Sequence, residues 1–159
     1  MPVSAQFKRY ASYTVGMVLL AIGLTLTAQT HLGTSPLTSV AYVLAEYTHN
    51  TFSNMTLLMF TLFVLAQIAL AGKPTARKTA ELLLQIPLSL VFTRVMGAVQ
   101  RFVDLSGCTL PVRLLCLFLA ILLTGVGAAM TLQARLIPNP GDGIVQALSF
   151  FLNSSPGSR

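Results

Sequence analysis

Charge is scarce in this chain. Only 9% of its 159 residues are Asp, Glu, Lys or Arg, and four of these are acids, whereas soluble domains carry about 25% charged residues. So thin a polar set cannot coat a soluble domain of this length. Cysteine is almost missing as well. Cys108 and Cys116 are too few for a disulfide framework or a four-ligand metal site. The two histidines, His31 and His49, have no Ser or Cys partner at a catalytic spacing, and no phosphate-binding glycine loop occurs. The sequence therefore points away from an enzyme and calls for no cofactor and no metal. The net charge of +6 comes from short basic clusters at the ends of apolar runs. With no basic stripe and no interleaved aromatics, nucleic acid is not an expected partner.

What the chain has is hydrophobicity: 54% of residues are apolar and the mean hydropathy is +0.75. Four stretches, near 10–30, 54–72, 78–99 and 113–134, each offer the ~20 apolar residues that cross a hydrocarbon core ~30 Å thick. The expected fold is an all-α, polytopic transmembrane bundle whose first partner is the lipid bilayer. Lys8 and Arg9 precede the first stretch as in a signal peptide, but Tyr10 to Gln29 is too long an apolar run for one, so it reads as a retained helix. Segments 36–48 and 140–152 are different. Each opens on a proline, is too short or too polar to cross comfortably, and reads as a broken or re-entrant half-helix.

These two segments belong to an internal repeat. Residues 21–36, AIGLTLTAQTHLGTSP, are echoed by residues 125–140, GVGAAMTLQARLIPNP, with Gly23/Gly127, Thr27/Thr131, Gln29/Gln133, Leu32/Leu136 and Pro36/Pro140 all 104 positions apart. The repeats divide the chain at 1–104 and 105–159. The second is expected to be truncated, since the same offset would carry it to about residue 201. If 36–48 re-enters, Lys8, Arg9, Lys73, Arg77, Lys78 and Arg135 face the cytoplasm and Arg94, Arg101 and Arg113 face outward. If it crosses, Lys8, Arg9, Arg94, Arg101 and Arg113 face inward against Lys73, Arg77, Lys78 and Arg135. The positive-inside rule favours re-entry, with a cytoplasmic N-terminus. Three crossings in the first repeat then make the second one inverted, which is the architecture of many secondary transporters.

The chemistry is expected at the two breaks, Gly33-Thr34-Ser35-Pro36 and Asn139-Pro140-Gly141-Asp142-Gly143. Backbone amides go unpaired where a helix is interrupted, and the positive end of each following half-helix suits an anionic or carboxylate-bearing solute. Thr34, Ser35 and Thr38 offer hydroxyls to complete the shell, or else they cap the helix itself. Gln29 and Gln133 each precede a break and need a partner, either by joining the repeats or by lining a pathway. Gln85, close to the helix-kinking Pro87, poses the same choice. Gly141 and Gly143 would permit unusual backbone turns. Arg135 and Asp142 either pair across the break or act as a topology anchor and an N-cap. Gly125 and Ala129, with their equivalents Ala21 and Thr25, are expected to form a small-residue packing face.

The run LGTSPLTSVAYVLAEYTHNTFSNMTLLMFTLFVLAQIALAGK, then LLLQIPLSLVF, and later NPGDGIVQAL, resembles the YczE/YyaS/YitT family of bacterial integral membrane proteins over roughly residues 10–152. The resemblance implies a multi-pass protein of the bacterial inner (cytoplasmic) membrane with weak internal duplication and a transport-related role. It also implies signature positions at Gly33, Ser35 and Pro36 and at Pro140, Gly141 and Asp142. Where the family usually carries Phe-Gly followed shortly by Asp, this chain has Phe92-Thr93-Arg94. The resulting expectation is a permease or secondary transporter for a small polar or anionic solute. The alternative is a non-transporting membrane partner, a substrate-binding subunit or scaffold. Self-association or a membrane partner protein fits either one.

Overall fold

A computed structural model describes residues 3–70, 76–134 and 136–154. Among these, six helices occur in the order α1 (Val3–Gln29), α2 (Pro36–Thr48), α3 (Phe52–Leu70), α4 (Ala76–Phe102), α5 (Leu110–Ala134) and α6 (Pro140–Ser154), with no strand. Four of them contain segments long and apolar enough to cross a membrane: Gln6–Gln29, Phe52–Leu70, Lys78–Phe102 and Leu110–Ala134. The two short helices begin on Pro36 and Pro140, where a missing N–H and a fixed φ suit the first helical position.

Local chemistry sets the ends of α2. Ser35 stands in extended conformation ahead of Pro36, and His49 at the far end adopts a left-handed φ of 53°. That turn sends Asn50 N–H back to Ala45 O at 3.0 Å, the closing bond of a Schellman-type stop. Asn50 Oδ1 then accepts from Thr51 N–H at 2.8 Å, so α3 begins at once.

The closest packing joins α1 to α5. A Cβ added to Gly127 would fall 2.6 Å from Leu20 N and 2.7 Å from Gly16 O, and one added to Gly23 would fall 2.8 Å from Ala120 O. Backbone meets backbone there, which only small residues allow. As α1 advances from residue 16 to 23, its contact on α5 retreats from 127 to 120, so the two helices are antiparallel. Gly125 and Ala129, expected to pack, instead face outward: both are exposed, and a Cβ on Gly125 would meet nothing within 4 Å. The packing face is rotated from the expected one, with Ala21 and Thr25 fully buried on α1.

The remaining contacts give the bundle two ends. Arg113 Nε donates to Thr30 O at 2.6 Å at the first end, and a cavity there gathers Thr25, Ala28, Asn50, Phe52 and Gln100. Arg9 Nη2 donates to Ala134 O at 2.9 Å at the second. Ser53 approaches Gly97, Phe60 meets Phe92 with ring centroids 5.8 Å apart, and Gln67 meets Gln85, so α3 and α4 are antiparallel. The chain leaves the first end at Thr30 and starts α3 at that same end, with α2 between.

Candidate functional site

Two interrupted segments converge inside this bundle. After α5 ends beside Arg9, Tyr13 Oη donates to Ile137 O at 3.0 Å, and Pro138, Asn139 and Pro140 then share a cavity with Met17, Leu20, Gln85, Ser89 and Phe92. Gln85 lies seven residues from Lys78, roughly 10 Å inside the second end at 1.5 Å per residue. From there α6 runs back outward until Phe150 lies under the Lys78 ammonium, 5.3 Å from its ring centroid. The start of α2 comes close to the head of α6 from its exposed side: Leu37 is 41% exposed, and its Cδ1 lies 3.3 Å from where a Cβ on Gly141 would stand. The two short helices thus point their N-terminal ends toward one another, and the residues that touch, Leu37 and Gly141, are themselves 104 positions apart.

At the head of α2, hydroxyls satisfy one another. Thr38 Oγ1 lies 2.9 Å from both Thr34 Oγ1 and Ser35 Oγ and donates to Ser35 O at 3.3 Å. Ser35 makes no side-chain capping bond, so the Leu37 amide lies ahead of the first bonds of the helix, which Thr38 and Ser39 N–H close on Ser35 O. Gly33 holds φ at 141°, a conformation open to glycine, and is exposed.

At the head of α6, Gly143 N–H closes the first turn on Asn139 O at 2.8 Å, which leaves the Gly141 and Asp142 amides ahead of it. Asp142 is the third helical residue and exposed. It is therefore not the N-cap, a position Asn139 occupies, and its charge complements the helix's positive end. Gly141 and Gly143 have no positive φ; both are buried, and at Gly143 it is space that requires glycine. Gly143 admits Gln67, whose Cδ would lie 3.0 Å from an added Cβ.

Gln67 is the residue that sequence reasoning missed. It is 4% exposed, Gln85 is 2% exposed, and the two exchange amide contacts. Gln67 Nε2 donates to Gln85 Oε1 at 3.2 Å and to Pro140 O at 3.3 Å, while Gln85 Nε2 donates to Gln67 Oε1 at 3.4 Å. Buried carboxamides need partners, and these bonds are long. The pair forms one wall of a cavity of about 280 Å³ that includes Lys78, Glu81 and Gln146 toward the second end. On its inner side lies the cavity of about 30 Å³ with Ser89 and Asn139, room for about one water.

Of the expected residues, Thr34, Ser35, Pro36 and Thr38 gather at one helix head and Asn139, Pro140, Gly141, Asp142 and Gly143 at the other. Gln29 sits apart, in a cavity of about 90 Å³ at the first end with His31, Tyr42 and Glu46, where His31 Nδ1 lies 2.9 Å from Tyr42 Oη. Gln133 is exposed on α5 and does not line the cavities around Gln85, so equivalent sequence positions have unlike surroundings. Arg135 lies outside the described residues. One signal could have led to the site: Glu81, Gln85, Ser89 and Thr93 recur every four residues on α4, a polar ladder along one face of a helix long and apolar enough to cross a membrane.

The family pattern of DUF6198 matches residues 7–158. The chain belongs to this family. DUF6198 is a family of unknown function, so membership carries no activity with it. No curated protein matches the chain, and no solved structure does.

Proposed function

We propose that this DUF6198 protein is a permease or secondary transporter that binds a small polar or anionic solute between the heads of α2 and α6. The meeting of two helix N-termini, Leu37 against Gly141, carries the reading. Two positive helix ends brought close to one another, that of α6 beside a buried amide pair, favour the negative or polar end of a solute.

An inverted repeat underlies the proposal, and the contacts support it by their reciprocity. Arg9 bonds Ala134 O while Arg113 bonds Thr30 O; Gly16 meets Gly127 while Gly23 meets Ala120. Each pair maps onto the other by the 104-residue shift, as a pseudo-two-fold axis requires. In this reading α2 and α6 are re-entrant half-helices and the N-terminus is cytoplasmic. The cavity of about 280 Å³ is then the inward mouth, and rocking of one repeat against the other opens the first end. The resemblance to the YczE/YyaS/YitT family supports a bacterial inner-membrane location and a transport role.

Reconstitution of the full chain into liposomes, with uptake screened across small carboxylates and amino acids, tests this. Uptake by the wild type that falls at least about tenfold in Gln85→Leu, with Gly125→Ala unaffected, supports the proposal. If no solute is taken up and none raises the thermal midpoint, the protein is instead a non-transporting partner of another membrane complex.

A further inference from the structure

A second polar cavity opens at the other end of the same helix pair. Arg94 and Arg101, two turns apart on α4, line a space of about 410 Å³ with Ser53, Asn54, Thr93 and Gln100. We propose that this cavity binds a phosphate-type oxyanion, either a free anion or the headgroup of an anionic lipid. The inference does not depend on the transport reading.

Four observations carry it. Arg94 lies eight residues before the end of α4, within the Lys78–Phe102 segment, roughly 12 Å along the helix from its last residue. A guanidinium at that depth is expensive unless it lines a wet cavity or finds a counter-charge. Among the described residues that line the cavity there is no carboxylate, so it holds two positive charges and no negative one. The head of α3 adds to them. Its first bond is closed by Asn54 N–H on Thr51 O at 3.1 Å, which leaves the Phe52 and Ser53 amides ahead of it at the positive end of the helix. Gln100, which borders both this cavity and the one beside Thr25 and Ala28, has a buried Oε1 without a hydrogen-bond partner; a hydroxyl or protonated oxygen of a phosphate can supply the donor from this side.

The charge count selects the ligand class. Two guanidiniums match a doubly charged oxyanion better than a single carboxylate, because each can present a two-pronged face to it. Gly97 keeps α3 and α4 close at the cavity floor, since a Cβ there would fall 3.1 Å from Ser53 Oγ.

The test uses the full-length protein in a phosphate-free maltoside detergent. Inorganic phosphate is titrated against chloride at constant ionic strength and thermal unfolding is followed. In parallel, native mass spectrometry compares retention of phosphatidic acid with that of phosphatidylcholine. Phosphate-specific stabilisation identifies a free anion, and selective retention of phosphatidic acid without it identifies a headgroup. In either arm Arg94→Gln weakens binding by about tenfold or more. Asn54→Asp gives up the Nδ2–H bond to Asn50 Oδ1 at 3.1 Å but places a carboxylate at the positive end of an exposed helix start, and does the same without disturbing the α4 interior. Equal effects of phosphate and chloride together with no lipid preference would overturn the proposal. So would binding that survives Asn54→Asp in a folded protein.

Discussion

Gln67 and Gln85 face each other where neither reaches water freely, and their bonds of 3.2–3.4 Å are long for amides. Each is the other's main partner, with Pro140 O as the third member. Replacing one by Leu strands the other, so Gln67→Leu and Gln85→Leu should each lower stability by about 1–3 kcal/mol, the desolvation penalty of an orphaned buried polar group. The double replacement should cost less than the sum of the singles, because two apolar residues leave nothing unpaired. Chemical or thermal unfolding of the four proteins in one detergent measures this, and strict additivity would deny the pairing. Gly143→Ala acts on the same residue from the other side: its methyl group would displace Gln67 and break the bond to Pro140 O.

The contact between α1 and α5 is tighter than side-chain packing, because Gly16, Gly23 and Gly127 bring main chain against main chain. Gly127→Ala should therefore destabilise by about 1–3 kcal/mol, since overpacking forces the backbones apart. Gly125→Ala, two residues away, meets open space and should be neutral, or stabilising by about 0.5–1 kcal/mol through helix propensity alone. The midpoints of the two variants, compared under one condition, decide whether the packing face has been assigned to the right side of α5. Sequence periodicity could not assign it. A spanning helix is apolar on nearly all sides, so lipid-facing and protein-facing residues look alike. Gly125 and Gly127 are equally good small residues until a partner helix selects one.

For the molecule as a whole, the connection from Thr30 to Phe52 begins and ends at one end of the bundle, and this sets the topology. Single cysteines at Thr51 and Ser106, in a background without Cys108 and Cys116, should label from the same membrane face, and one at Lys78 from the opposite face. Labelling of Thr51→Cys from the same face as a cysteine at Lys8, ahead of α1's apolar segment, would mean that α2 crosses. Leu37→Cys with Gly141→Cys should be joined by a short thiol cross-linker. If the heads of α2 and α6 separate during the proposed transport cycle, that cross-link should also stop uptake.

Much of this arrangement was legible before any coordinates. The four long apolar helices follow from apolar length, and the starts of α2 and α6 follow from prolines that can open a helix but not continue one. The matching positions around Pro36 and Pro140 are a property of the residues alone. Gln67 was not legible, because one glutamine near the end of an apolar stretch looks like an interfacial residue. Only the return of Pro140 into the bundle gives it a second partner. Asp142 looked like a cap because it lies between glycines, yet the helix begins two residues earlier, at Pro140. The Arg94–Arg101 cavity was hidden for a similar reason: each arginine alone reads as a topology anchor, and they become a pair of unmatched charges only when the head of α3 closes the space beside them. Length, hydropathy and helix-breaking residues are local properties, carried by the chain wherever it goes. Which face of α5 meets α1, which glutamines find each other, and which charges share a cavity depend on rotation and depth, and those are decided only when helices close-pack against particular neighbours.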